Sequence, residues 1–383
     1  MIDLTPYSIL TVTVVTSIFI ILFIIITKPE IVVSKLPMWL PVTLAAVMGL
    51  RLLFPVEFLF ASDTLLSFDV FPHIDDVFHT DILVINDIVP NFNIKIVNIF
   101  CIIWITGAIL FVMNYIKKYN NICRAVRVVK PTEDALILKV LNELKAEYNF
   151  SFDVKVIVSK GISSPSEFGF FRQIIFLNDY NYTENELRYI LAHELTHFYN
   201  KSNWIKFFMD MVKFMLWWNP AVHLLQKHVD DLLEIYVDSY VVGKKNFEFK
   251  VGYLECLKCV FENSGTPEKT TAQMGFVHSM TTPKAKHILL KRFKVIEDGH
   301  KNNISVCVLI LSLMFLYIFI SGVYVVQPGY EPPIEDFLYT PEFMEENSYI
   351  VKEGDMYVLY YNGESYLRNP NLEELPKVPI INK

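Results

Sequence analysis

Thr183-Glu184-Asn185-Glu186, followed by Leu187 to Phe198 with His193-Glu194-Leu195-Thr196-His197 inside it, decides how this chain is read. Residues four apart on a helix share a face one turn apart, so His193 and His197 can hold one Zn²⁺ between them. Glu194 then faces a water on that ion. Thr183 and Glu186 have the spacing of a capping box, in which each side chain satisfies the other residue's amide, so a helix is expected to begin there. Leu187, Ile190, Leu191, Leu195 and Phe198 recur at helical spacing and predict a buried stripe along it.

A zinc ion with an open position needs a third protein ligand. Glu234 is the choice, in Asp230-Asp231-Leu232-Leu233-Glu234-Ile235-Tyr236-Val237-Asp238, a helical segment where Glu234 and Asp238 share a face. Asp238 reads as a supporting group that accepts a ring N–H from a ligand histidine or braces its helix. Asp230, Asp231, His223 and His228 stand as substitutes for Glu234. The extended motif with a glycine and a third histidine is absent, because residues 199–203 supply neither. The chemistry this set suits is metal-assisted peptide hydrolysis with Glu194 as general base. Tyr236 and His228 are both candidates for an oxyanion-stabilising donor, and spacing does not choose between them.

Hydrophobic residues make up 53% of the 383, and four apolar runs, 7–27, 37–56, 96–115 and 304–326, exceed a core helix in length. Twenty helical residues reach roughly 30 Å, the hydrocarbon thickness of a bilayer. The chain therefore reads as an integral membrane protein. No basic residue precedes the first run and no A-x-A site follows it, so it is expected to stay as a membrane helix. Arg51, near the end of the second run, can snorkel to the interface. Lys28 and Lys35 follow the first run, and Lys117, Lys118, Arg124, Arg127 and Lys130 follow the third. Lys291, Arg292, Lys294 and Lys301 precede the fourth, whereas residues 57–95 hold seven acidic residues and only Lys95. The positive-inside rule then makes 117–303 cytosolic and puts the N-terminus, the acidic loop and the C-terminal tail outside. The net charge of −7 says nothing against this, and nothing suggests nucleic acid.

Residues 204–225 are apolar but interrupted by Lys206, Asp210 and Lys213. A full crossing there would put His197 and Glu234 on opposite sides of the membrane. The run is expected to dip into the interface, with Trp217, Trp218 and Tyr199 at headgroup depth and Asn219-Pro220 turning the chain into the Glu234 helix. An ordinary buried helix hairpin is the plainer reading.

The cytosolic stretch reads as α+β. Residues 134–149, 251–262 and 284–297 have helical patterns, and 154–159 and 173–177 read as strands. The loop 160–171, with Gly161, Pro165 and Gly169, is expected to join those strands as a hairpin whose edge can take an extended peptide. Residues 327–383 hold 11 acidic and 4 basic residues, with strands expected at 349–351, 356–361 and 364–367 turning at Asn362-Gly363. This tail either caps the outer face or binds a ligand or partner. The five cysteines imply no disulfide framework: Cys101 and Cys307 fall in apolar runs, and Cys123, Cys256 and Cys259 on the reducing side. Cys256-x-x-Cys259 stands without a second pair and reads as coincidence. His73 and His79, near Asp75, Asp76 and Asp81, suit cation binding or pH sensing, against the plainer reading of a solvated loop.

Taken in order, three apolar runs, Ser164-Pro165-Ser166-Glu167-Phe168-Gly169-Phe170-Phe171, His193-Glu194-x-x-His197, Trp218-Asn219-Pro220, Glu234-x-x-x-Asp238 and a fourth run resemble the BlaR/MecR-type family of bacterial membrane metallopeptidases. The resemblance covers residues 1–327. It implies that His193, His197 and Glu234 ligate Zn²⁺ and that Glu194 is the general base. It also implies a gluzincin-like domain that cleaves itself or a cytosolic regulator after an outside signal. Receptors of that family carry a large extracellular penicillin-binding domain whose nucleophile sits in Ser-x-x-Lys. That motif occurs nowhere in this sequence, so covalent β-lactam sensing is not expected of it.

The expected architecture is an α+β polytopic membrane protein. Residues 1–116 supply three transmembrane helices and the acidic loop 57–95, 117–303 a cytosolic zinc metallopeptidase domain, 304–326 a fourth helix and 327–383 a small extracellular tail. The expected partners are a protein or peptide substrate and the lipid bilayer, with a homodimer and an extracellular ligand left open. Two other classes stand beside the signalling protease. One is a constitutive processing or quality-control protease resembling the HtpX or CAAX-processing enzymes. The other is a non-enzymatic membrane receptor or scaffold, against which the intact Glu194 argues.

Overall fold

Apolar helices and a short mixed sheet share the work of positioning the site. The computed structural model describes residues 6–28, 36–37, 39–55, 62–66, 81–84, 93–162, 164–243, 245–263, 290, 292–294, 296, 304–328, 348–353, 356–361, 364–368 and 379–382. Three helices are long and apolar enough to cross a membrane: α1 (Pro6–Ile26), α3 (Ile96–Val128) and the C-terminal helix Ile304–Val323. The second apolar run forms α2 (Trp39–Leu53), whose 15 residues reach roughly 22 Å, less than the hydrocarbon thickness. Leu40, Leu44 and Met48 of α2 pack with Ile20 and Phe23 of α1 in one buried cluster. Arg51 donates to the carbonyl of Ser321 at 2.5 Å.

α3 continues 13 residues past Tyr115, the end of its apolar run, and that extension supports the sheet. Ile122 packs with Ile157, Phe168, Ile174 and Phe176, and the Tyr119 ring lies 5.3 Å from that of Phe168. Asp134 then caps α4 (Ala135–Glu147), its carboxylate accepting from the amides of Leu136 and Ile137.

After three short strands, β1 (Ser62–Leu66), β2 (Asp81–Val84) and β3 (Asn93–Lys95), the sheet follows as β4 (Val154–Ser159), β5 (Ser166–Phe168) and β6 (Gln173–Asn178), in the order β4-β6-β5. The expected hairpin between 154–159 and 173–177 is not formed. β4 pairs with β6 in parallel, Val154 opposite Gln173 through Ser159 opposite Asn178. Parallel neighbours need a crossover rather than a tight turn, and the intervening residues supply one that includes β5. The hairpin is instead β5–β6, antiparallel, turning at Gly169 with φ +101°.

Four further helices follow the sheet. The expected capping box at Thr183 and Glu186 opens α5 (Glu184–Tyr199), which buries Leu187, Ile190, Leu191, Leu195 and Phe198. α6 (Ser202–Met215) leads through a turn to α7 (Pro220–Val242), capped by Asn219 and started by Pro220, a residue suited to a first helical position. α8 (Phe247–Asn263) packs Tyr253, Cys256 and Leu257 into a core shared with α4, the sheet, α5 and α7. Of the helix expected at 284–297, residues 290, 292–294 and 296 are helical and the rest lie outside the described residues. The last apolar run forms α9 (Ile304–Val323) and ends three residues short of 326. There the β-branched and aromatic Tyr324–Pro328 forms a strand paired with Ser62–Leu66. Asp81–Val84 pairs antiparallel with Asn93–Lys95, while His73, Asp75, Asp76 and His79 lie outside the described residues.

A second compact unit comprises 67–73 and 328–383. Its described part is a four-stranded sheet. Ser348–Glu353 pairs antiparallel with Met356–Tyr361, which pairs antiparallel with Glu364–Arg368. Ile380–Asn382 adds in parallel to the first of these strands. Asn362 and Gly363 lie outside the described residues.

Candidate metal centre

Helical spacing brings the imidazoles of His193 and His197 to the same face of α5, with their Nε2 atoms 3.2 Å apart. α7 crosses that face and delivers Glu234, whose carboxylate oxygens stand 3.4 Å from His193 Nε2 and 3.5 Å from His197 Nε2. Three donors on a tetrahedral ion at zinc distances of about 2.0–2.1 Å would lie roughly 3.3 Å from one another. The observed separations fit that pattern. His193, His197 and Glu234 are the one group of three or more metal-competent side chains within 4.8 Å found among the described residues.

Both imidazoles are also engaged at their far nitrogen, which leaves Nε2 free to act as ligand. Nδ1 of His193 is 2.9 Å from the Tyr253 hydroxyl and 3.3 Å from Asp238 Oδ1. Tyr253 donates to Asp238 Oδ1 at 2.7 Å. Arg292 closes this network with Nε donating to Asp238 Oδ2 at 2.5 Å and Nη2 to Oδ1 at 2.7 Å. Nδ1 of His197 is 3.2 Å from Ser202 Oγ and 3.6 Å from Glu167 Oε1. Asp238 thus lies beside His193, one of the three side chains that could hold a metal.

Burial and neighbouring charge set the electrostatics. Burial opposes ionisation of Glu234, but the two histidines, Lys206 and Arg292 outweigh it and hold its carboxyl well below the usual range. Glu194, one residue after His193, is 7% exposed, and burial pushes its carboxyl up to about 7. A carboxyl poised there suits a general base at neutral pH. Burial likewise pushes Glu167 up to about 7, against the pull of Lys206.

The substitutes for Glu234 are not in the cluster. His223 Nε2 donates to the Trp217 carbonyl at 2.8 Å, and His228 Nε2 lies 2.7 Å from Thr27 Oγ1. Asp230 and Asp231 are outside the metal-competent group as well. The two oxyanion candidates also face elsewhere: the Tyr236 hydroxyl donates to the Leu36 carbonyl at 3.4 Å, and His228 points to α1. The cations actually beside the cluster are Lys206, 4.0 Å from Glu234 Oε1, and Arg292, 3.7 Å from Glu234 Oε2. Sequence reading missed both roles, together with those of Tyr253, Ser202 and Glu167. Glu167 lies in the segment 164–171, two residues before Gly169, and that position is the signal the sequence offers. In the sequence Arg292 is one of several basic residues before the last apolar run, whereas in the fold it is 1% exposed.

A cleft of about 380 Å³ opens beside the cluster, walled by α3, the β5–β6 hairpin, α6 and α7, with Glu167 and Lys206 in its lining. β5 is the edge strand of its sheet, and Glu167 and Phe168 from it face this space.

The family model for BlaR1 peptidase M56 matches residues 3–292. Regulatory protein BlaR1 of Bacillus licheniformis is 27% identical over 162 residues, 41% of this chain and 27% of that protein. The methicillin resistance mecR1 protein of Staphylococcus aureus is 25% identical over 239 residues, 60% of this chain and 40% of that protein. Regulatory protein BlaR1 of Staphylococcus aureus is 23% identical over 240 residues, 58% and 41%. The matched stretches thus span less than half the length of these curated relatives. The family match runs through the helix bearing His193-Glu194-x-x-His197, past Glu234 and Asp238, to Arg292, and the chain belongs to the BlaR1 peptidase M56 family.

Proposed function

We propose that this chain is a membrane-embedded zinc metalloendopeptidase with four membrane helices, responsive to a signal and cleaving itself or a cytosolic regulator. The observation that supports it most is the convergence of His193 Nε2, His197 Nε2 and the Glu234 carboxylate at 3.2–3.5 Å, beside Glu194 on the same helix. In this reading His193, His197 and Glu234 hold the ion, Asp238 orients His193, and Glu194 is the general base. A bound zinc ion would supply a water of lowered pKa and polarise the scissile carbonyl.

Every other part of the chemistry falls to the chain's own groups. Glu194 takes a proton from the attacking water and passes it to the nitrogen of the leaving amine as the C–N bond breaks. The Glu167 edge strand offers backbone groups on which an extended peptide can add as a further strand. Lys206 faces the cleft beside Glu234 and is the cation best placed to meet charge developing on the carbonyl oxygen, in the role first given to Tyr236 or His228.

The relatives' names, regulatory protein and methicillin resistance protein, support a signalling task over constitutive processing. The test is to incubate detergent-purified chain and follow fragments on gels. Cleavage in wild type that is abolished in Glu194→Gln supports the reading. Cleavage that persists in Glu194→Gln removes Glu194 from the role of base.

A further inference from the structure

The turn between α6 and α7 is tied to two apolar helices, and both ties lie at the same depth. Asn219 Nδ2 donates to Ser17 Oγ of α1 at 3.0 Å. Trp217 Nε1 donates to the Trp104 carbonyl of α3 at 3.2 Å, and Trp104 Nε1 returns a bond to the Met215 carbonyl. The Trp217 ring lies on Gly107 so closely that a Cβ there would stand 2.5 Å from it. Within the apolar window Ile9–Ile26, Ser17 is roughly 12 Å from one end and 14 Å from the other, at 1.5 Å per residue. Trp104 and Gly107 are roughly 12 and 16 Å along α3 from Ile96, in an apolar run of about 30 Å. Both rulers put the turn at the middle of the hydrocarbon layer.

The polar groups of α6 and of the turn are arranged as such a depth requires. Lys206, Asp210 and Lys213 recur at i, i+4 and i+7, one helical face, and all three line the cleft rather than the outside. Gln226 Nε2 donates to Asp210 Oδ1 at 2.5 Å, and Lys213 Nζ donates to Gln226 Oε1 at 2.8 Å. Charged side chains within a bilayer are expected to pair among themselves around an interior cavity in this way. Phe208 and Val212 of α6 pack on Gly49 of α2. In the turn the carbonyls of Met215 and Trp217 accept from Trp104 and His223, the Leu216 amide donates to Val212, and the Asn219 amide donates to Leu216. Irregular backbone is tolerated in hydrocarbon when its polar groups are satisfied by protein. Met215 and Trp218, 47% and 49% exposed, are left facing outward.

From this we infer that α6–α7 is a re-entrant membrane hairpin, entering from the side that bears the metal cluster, with its turn at mid-bilayer and lipid acyl chains as the partner of Met215 and Trp218. The inference rests on the reading of α1 and α3 as membrane-crossing helices. It places the turn deeper than the headgroup position expected for Trp217 and Trp218. It also fixes where the site works. Glu234 is 14 residues into α7, roughly 21 Å from the turn, so the cluster stands about one helical turn beyond a half-bilayer of about 15 Å. The bond to be cleaved must then be presented close to the membrane surface.

The test uses the full chain in phosphatidylcholine vesicles whose acyl chains are brominated either near the bilayer centre or near the headgroup. Variants retain one of the five tryptophans, the others being replaced by phenylalanine. Trp218 is expected to be quenched best by the deep bromines, as is Trp104. Deep quenching of Trp104 together with shallow quenching of Trp218 overturns the hairpin while leaving α3 in the membrane. Absence of bromine quenching at Trp104 overturns the membrane reading and the hairpin with it. Since four replacements can impair folding, wild type and Trp218→Phe are compared in the same vesicles. The deep-quenchable emission is expected to fall in the variant, and an unchanged value contradicts the proposal.

Discussion

Arg292 grips Asp238 with two charge-assisted hydrogen bonds, at 2.5 and 2.7 Å, and both side chains are about 1% exposed. Asp238 Oδ1 in turn lies 3.3 Å from His193 Nδ1, so a cation 54 residues away along the chain sets the orientation of a candidate metal ligand. Burial alone would raise the Asp238 carboxyl, and Arg292 overrides it and holds the group below its usual range.

Removing the cation leaves an uncompensated buried carboxylate. Arg292→Met is expected to lower stability by about 3–5 kcal/mol, read as an earlier thermal unfolding midpoint in detergent. An unchanged midpoint would mean that the pair contributes little.

The same pair gives a pH dependence. A carboxyl whose folded pKa lies below its unfolded value of about 3.9 adds stability that is present above that value. It is lost as pH falls through the folded pKa. Wild type should therefore lose stability below about pH 4, and Asp238→Asn should show less of that acid dependence. Parallel acid curves for the two proteins would refute it.

Tyr253 bridges His193 Nδ1 and Asp238 Oδ1 with its hydroxyl. Tyr253→Phe removes only that oxygen, and loss of such a supporting bond costs metal affinity about 10–100-fold. Competition for zinc with a chromogenic chelator measures it, and equal affinity in the two proteins would deny Tyr253 a supporting role.

Gly169 turns the β5–β6 hairpin at φ +101°, and a Cβ there would stand 2.0 Å from the Arg172 carbonyl oxygen. Both conformation and space exclude a side chain. Gly169→Ala is expected to shift the unfolding midpoint down and to weaken peptide binding along the edge strand. A midpoint equal to wild type would show that the turn can rearrange.

Burial pushes the Cys256 thiol up to about 12. At pH 8 about one molecule in ten thousand then carries the reactive thiolate. Cys256 should resist iodoacetamide in the folded protein and react after denaturation, as mass spectrometry of its peptide would show. Rapid alkylation in the native state would instead reopen a redox role for Cys256-x-x-Cys259.

What was legible in the sequence was periodic or local. The α5 helix announced itself through Thr183, Glu186 and the Leu187-to-Phe198 stripe, and a four-residue histidine spacing can face only one way on a helix. Glu234 and Asp238 followed from the same periodicity on α7. The contributions of Arg292, Tyr253 and Lys206 were not legible, because they depend on contacts between distant segments. A buried arginine carries the same letter as one in a basic loop. Gly161, Pro165 and Gly169 marked a connection but not its direction, and so the parallel pairing of β4 with β6 was missed. The tryptophans of the α6–α7 turn matched an interfacial composition, whereas their depth is set by Gly107 and Ser17 on other helices.

The most direct test of the central claim is the zinc content of detergent-purified wild type, Glu194→Gln and Glu234→Ala, measured by elemental analysis. The account predicts one zinc per chain in wild type, full retention in Glu194→Gln and loss in Glu234→Ala. Freshly prepared wild type without zinc, or zinc fully retained in Glu234→Ala, would contradict it.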